Sequence, residues 1–196
     1  MQIELLAWYD HYGRSLPWRI RPEDKLAGKK VDPYAVWLSE IMLQQTTIAH
    51  ATPYWEKFIF EFPTVIDLAD SNRDKIMAMW SGLGYYARAR NLHKCAQLIR
   101  DQYGGFFPKH EFELLKLPGI GPYAAAAIAA ICFDEPTNIV DSNVERVISR
   151  IFKIEDPLPK YRNIYRIKAG VLAPTDRPGD YGQALMDLGS TICTPK

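Results

Sequence analysis

The stretch Leu117-Pro118-Gly119-Ile120-Gly121-Pro122-Tyr123, running into an alanine-rich segment at residues 124–130, constrains this chain more than any other. Two glycines two residues apart allow a tight turn with φ > 0 and expose successive backbone N–H groups. Pro122 suits the first position of a helix, where a missing donor does no harm. A loop of this kind presents N–H groups at a helix N-terminus, a geometry that fits a phosphate. Taken alone it also fits a plain helix-to-helix turn, because short glycine patterns carry little information.

The rest of the chain reads as helices separated by proline and glycine. Residues 2–12 place Ile3, Leu5, Leu6, Trp8 and Tyr9 at helical spacing and stop at Gly13. Leu16-Pro17-Trp18-Arg19 is a proline-bounded loop, and the polar residues 20–31, with Lys25, Gly28, Lys29 and Lys30, read as a surface loop. Asp32-Pro33 combines an N-cap with a first-position proline, so a helix is predicted from there to about Thr47. Further helices are expected over 53–62, 65–69, 72–80, 92–103, 111–117, 123–133, 144–152, 161–172 and 181–192. Strand character is confined to Thr137-Asn138-Ile139-Val140, too little for a sheet. The expected class is all-α.

Composition narrows the function only slightly. The chain has 196 residues, 47% hydrophobic and 24% charged, as an ordinary globular protein does. A net charge of +1 neither demands nor excludes nucleic acid, so any DNA site must come from local clustering, and Arg88, Arg90, His93 and Lys94 make one such cluster. No apolar run approaches the roughly 20 residues of a membrane span, and Met1-Gln2-Ile3-Glu4 lacks the features of a signal peptide. The expected setting is therefore inside the cell, in cytoplasm or nucleoid, with no membrane partner. Cys95, Cys132 and Cys193 are too few for a disulfide framework, and the first two lie in apolar helical patterns expected to be core.

Two carboxylates stand out. In Ser39-Glu40-Ile41-Met42-Leu43-Gln44-Gln45-Thr46, Glu40 shares a helical stripe with Val36, Leu43 and Gln44, and apolar neighbours favour its protonated form. It is either a solvated helix residue or an acid kept ready. In Val140-Asp141-Ser142-Asn143-Val144, Asp141 precedes a helix, where free N–H groups and the helix dipole favour the charged form; it is a simple N-cap or a fixed anion. Leu83-Gly84-Tyr85-Tyr86-Ala87-Arg88-Ala89-Arg90 places aromatics beside cations, as a base-stack wedge does, although a core tyrosine pair with surface arginines reads equally well.

Taken together, the stretches at 39–46, 117–123 and 140–144 resemble the helix-hairpin-helix DNA glycosylases, with wording nearest to the MutY-type adenine DNA glycosylases. The resemblance implies two helical subdomains with the active site in the cleft between them: residues 25–136, including the hairpin at about 112–133, and residues 1–24 with 137–196. It implies a monofunctional enzyme, acting as a monomer, that flips out and excises adenine opposite 8-oxoguanine or guanine in double-stranded DNA. Glu40 would be the general acid and Asp141 the anion or transient nucleophile, a two-carboxylate logic shared with glycosidases, with Asn143 orienting the site. The family more often has glycine at the position of Ser142, so serine fits only with an ordinary φ.

By the same resemblance Trp18, Arg19 and Gln183 line the base pocket, Tyr85 intercalates with Arg88 on the backbone, and Gln45 and Thr46 lie near the opposite base. Gly119 and Gly121 form the phosphate loop. Tyr123 stands where strand-nicking relatives carry a Schiff-base lysine, which argues against the alternative of a bifunctional lyase. A non-catalytic DNA-binding fragment is the other alternative. Cys193 matches the first of four thiolates that hold a 4Fe-4S cluster in that family, and the others would follow it. Because the sequence stops at Lys196, the resemblance implies a chain cut before the cluster loop, with the cofactor expected in the full-length protein and Cys193 a free thiol here.

Overall fold

The computed structural model describes residues 2–155 and 162–195 and contains no strand among them. In chain order the helices are α1 (Gln2–Tyr12), α2 (Pro22–Leu26), α3 (Pro33–Met42), α4 (Ile48–Glu61), α5 (Val65–Asp70) and α6 (Arg73–Met79). They continue with α7 (Ala87–Tyr103), α8 (Glu111–Leu114), α9 (Pro122–Phe133), α10 (Ser142–Ile151), α11 (Arg162–Leu172) and α12 (Pro178–Thr191). None among the described residues is long and apolar enough to cross a membrane. The expected helix start at Tyr161 lies outside the described residues.

Several boundaries differ from the sequence reading, each for a local reason. The polar stretch after Arg19 contains the short helix α2, because Pro22 sits in its first turn and Glu23 and Asp24 suit the positive end of the dipole. Helix α4 starts at Ile48 rather than Pro53: the Thr47 side chain caps it by accepting from His50 N–H, and the proline sits within the helix. Helix α7 starts at Ala87, five residues earlier than expected, and α8 stops at Leu114 before the turn that leads to Gly119. Cys95 is fully buried and its thiol is pushed up to about 12 by desolvation, whereas Cys132 is only half-buried and not the core residue expected.

The chain divides into two compact units, one of residues 17–19 and 31–125, the other of residues 1–16, 20–30 and 126–196. The divisions thus fall at 16/17, 19/20, 30/31 and inside α9, where the sequence reading has 24/25 and 136/137. In the first unit α7 packs against α3, α5 and α6. Its core is aromatic: Trp37 meets Phe107 at 5.3 Å between ring centroids, and Phe58 meets Trp80 edge-on at 5.9 Å. Edge-on and tilted pairs at this spacing are the favoured arrangement for aromatic quadrupoles.

In the other unit α12 is central, packing on α1 and α10. Its glycines permit that closeness. A Cβ on Gly179 would lie 2.5 Å from the Ala130 carbonyl oxygen, and one on Gly189 would lie 2.7 Å from Asn143 Cβ. The buried Asp187 on the same helix accepts from Arg14 Nε at 2.6 Å and from the Arg14 backbone N–H at 2.8 Å, which ties the segment after α1 to α12. A buried carboxylate needs such partners, since desolvation without them is costly.

Candidate active site and nucleic-acid interface

Helix α3 begins as the sequence reads: Asp32 Oδ1 accepts from Tyr34 N–H at 2.9 Å and Pro33 fills the first turn. From Val36 to Met42 every side chain is buried, Glu40 included at 8% exposure. Of the two readings of Glu40, the solvated one is thereby removed. The helix stops at Met42, not Thr47, because the last carbonyls are taken by a side chain from α7. Arg88 Nη1 donates to the carbonyls of Ile41 at 3.2 Å, Met42 at 2.8 Å and Gln44 at 2.5 Å. Helix C-termini leave such carbonyls without intrahelical partners, and a guanidinium can satisfy several at once.

Arg88 therefore departs from its expected role as a phosphate-gripping surface cation. It is buried, and Nη2 donates to Thr46 Oγ1, Leu83 O and Gly84 O. Burial also lowers its pKa from the ordinary guanidinium value. His93 of the same basic cluster is buried too, against the Ala69 carbonyl, so Arg90 and Lys94 are the exposed members. Tyr85 and Tyr86 are exposed, Tyr85 to 62%, which removes the reading of a core pair. Gln45 and Tyr85 both adopt left-handed backbone, with φ of 59° and 47°.

The hairpin runs from α8 through the turn to α9, with Pro122 at the first helical position. Its two glycines are not equivalent. Gly119 has φ +80° and a Cβ there would meet Asn91 Cβ at 2.9 Å, whereas Gly121 has no positive φ and open space where a Cβ would stand. The sequence reading of left-handed backbone at both is correct for Gly119 alone. Gly121 opens α9 by accepting from Ala125 N–H at 2.9 Å, and Tyr123 is half-buried in the first turn.

Asp141 is the N-cap of α10: Oδ1 accepts from Val144 N–H at 2.8 Å and Oδ2 from Asn143 Nδ2 at 2.9 Å. Ser142 starts the helix without a positive φ, so serine meets the condition set on it. Asn143 Oδ1 in turn accepts from Arg146 Nη2 at 2.9 Å, and the same guanidinium donates to Gly189 O at 2.5 Å and Cys193 O at 2.7 Å. Arg146 thus braces the Asp141 loop against the end of α12. Sequence reasoning missed it, and its only signal was its spacing of three from Asn143 along a helix.

Trp18 is buried against Trp55, with ring centroids 5.6 Å apart, and Arg19 is half-buried. Gln183 is not at the surface; it is 2% exposed, with Nε2 donating to Gly179 O at 3.2 Å. Cys193 Sγ accepts from Arg150 Nη1 at 2.9 Å. Among the described residues no three His, Cys, Asp or Glu side chains gather as a metal-binding group, so the residues present do not form a four-thiolate cluster site. Gln45, Thr46, Tyr85 and Arg88 are brought together in the first unit; Asp141, Asn143 and Cys193 are joined through Arg146 in the other.

Comparison with known proteins adds the following. Residues 38–169 match the family described as HhH-GPD superfamily base excision DNA repair protein. The chain is 41% identical over 196 residues to an adenine DNA glycosylase of Rattus norvegicus, covering 98% of this chain and 38% of that protein. It is 40% identical over 190 residues to one from Buchnera aphidicola subsp. Baizongia pistaciae, covering 96% of this chain and 52% of that protein. The chain thus spans about half or less of the length of these relatives. A solved thermostable thymine-DNA glycosylase superposes with a TM-score of 0.84 at 28% identity, over 100% of this chain and 87% of that one. With its glycine hairpin, Glu40 and the Asp141-capped helix all lying inside the matched segment, this chain belongs to the HhH-GPD superfamily of base excision DNA repair proteins.

Proposed function

We propose that this chain carries the catalytic part of a monofunctional adenine DNA glycosylase, acting as a monomer at the chromosome on adenine paired with 8-oxoguanine or guanine. The observation that carries the reading is the burial of Glu40 on α3, a carboxyl removed from water inside the family-matched segment. Its similarity to adenine DNA glycosylases along 98% of its length supports the choice of base.

The target nucleotide must leave the stack before its glycosidic bond is accessible. Tyr85 and the Gln45–Thr46 turn are the groups assigned to the gap and the opposite base, and the open side of Gly121 to a backbone phosphate. Glu40 donates a proton to the purine ring, and the C1′–N9 bond breaks with its electron pair leaving on the base. Asp141, fixed by two hydrogen bonds, stabilises the positive sugar. A water molecule adds to C1′ and gives a proton back to Glu40. The products are free adenine and an abasic strand. Tyr123 has no amine to form an imine with the sugar, so the strand stays intact.

The test is single-turnover release of free adenine from a duplex containing one A·8-oxoguanine pair. Glu40→Gln, which keeps shape and hydrogen bonding but cannot donate the proton, is expected to slow release by about 100-fold or more. Undiminished release by that variant would overturn the assignment of the acid. Borohydride is expected to trap no covalent adduct.

A further inference from the structure

Two exposed residues in strained backbone, Gln45 and Tyr85, stand on separate loops of the same unit. Non-glycine residues persist at such φ only where their surroundings over-determine them. Around Tyr85 this condition is met carbonyl by carbonyl. Ser81 O accepts from Tyr54 Oη at 3.0 Å, Gly82 O lies 3.1 Å from His50 Nε2, and Gly84 O accepts from Trp80 Nε1 at 3.0 Å. Leu83 O accepts from Arg88 Nη2 at 2.9 Å.

The Arg88 side chain reaches the other loop as well. It donates to Gln44 O and Thr46 Oγ1, the atoms on either side of Gln45, while its guanidinium lies 5.5 Å from the Tyr85 ring centroid and 5.3 Å from that of Trp80. One buried fork thus fixes the spacing between the two strained residues. A lysine could not replace it, since a single ammonium has three donors at one point and no planar fork.

We infer that Arg88 is a positioning residue that holds Gln45 and Tyr85 at a set separation, so that both enter one DNA duplex as a matched pair, and that it makes no phosphate contact itself. The inference rests on the glycosylase reading, which supplies DNA as the occupant. It names a specificity determinant that acts from inside the protein.

The experiment measures Kd for a duplex holding one A·8-oxoguanine pair and for the A·T duplex of the same sequence, across a salt series, with folding followed by thermal melting. Variants are Arg88→Lys, Arg88→Met, Tyr85→Ala and the Tyr85→Ala/Arg88→Lys double. Positioning predicts that both Arg88 variants lose about tenfold in preference for the mispair, the order of one lost base–aromatic stack. The salt dependence should keep its slope, and Arg88→Lys should cost less in the Tyr85→Ala background than it does alone. A slope shallower by about one in Arg88→Met, with Arg88→Lys near wild type, would make Arg88 a phosphate contact and overturn the proposal. Additive losses in the double variant would overturn it as well. If the Arg88 variants do not fold, Thr46→Val, which removes one bond of the bracket, carries the test with an expected loss of about threefold; no loss there refutes it. Failure of the glycosylase reading is distinguishable, because wild type itself would then show no preference for the mispair.

Discussion

Gly119 and Gly121 lie two residues apart and answer to different forces. At Gly119 the backbone is left-handed and Asn91 crowds the position, so any side chain is both strained and obstructed. Gly119→Ala is expected to cost about 2 kcal/mol or more, made of roughly 1–2 kcal/mol of backbone strain plus the contact with Asn91. Thermal melting would register this as a fall of about 4–8 °C. At Gly121 the backbone is ordinary and the space open. Gly121→Ala should therefore melt within about 2 °C of wild type while weakening DNA binding, because its methyl stands where a phosphate would approach; a Kd measured beside each melt separates the two effects. Both glycines were visible in the sequence, but their conformations were not, since φ depends on what surrounds the turn. The same holds for Arg88: residue type suggested the surface, and packing put it inside.

At the scale of elements, two helix starts were legible from their caps. Asp32-Pro33 and Asp141 announce α3 and α10 because a cap is chemistry between neighbours in sequence. The end of α3 depends on Arg88, a residue 46 positions beyond Met42, which no local pattern contains. Helix α12 shows the complementary case. Gly189 allows α10 to approach so closely that a Cβ would lie 2.7 Å from Asn143 Cβ and 2.8 Å from Asn143 O. Gly189→Ala should destabilise by about 1–3 kcal/mol through overpacking. Since the group displaced is Asn143, which holds Asp141, adenine release should fall further than the loss of stability explains. Comparing single-turnover rates well below the melting temperature checks this, and a normal rate in the destabilised variant would show that Asn143 does not transmit to Asp141.

Across the whole molecule, the unit that holds Asp141 is assembled from three separate stretches of chain, and charged pairs join them. Arg177 at the start of α12 bonds Asp10 on α1 and, at 2.9 Å, Asp180; Asp180 also accepts from Lys25 of α2 at 2.8 Å. Arg177 holds the Asp10 carboxyl below the ordinary aspartate value. A carboxyl depressed in the folded state contributes its stability above the unfolded value, near pH 4, and loses it as pH falls through the folded value. Asp10→Asn should lower the melting temperature at neutral pH and flatten its decline below about pH 4. The pair is partly exposed, so the change should be modest and smaller in high salt. A melting-temperature profile from pH 2 to 7 with an unchanged acid limb in the variant would exclude this role.

Sequence alone determined the helical class, the hairpin, the capped starts of α3 and α10, and a glutamate set among apolar neighbours. These follow from interactions within one or two turns, and such interactions are written in consecutive residues. Tertiary structure decided where α3 stops, which arginine faces inward, that Gln183 is buried, and that Arg146 braces Asn143. Each of those outcomes joins groups far apart in the chain or depends on the packing around them, and a buried donor takes whatever acceptors the packed fold brings within reach.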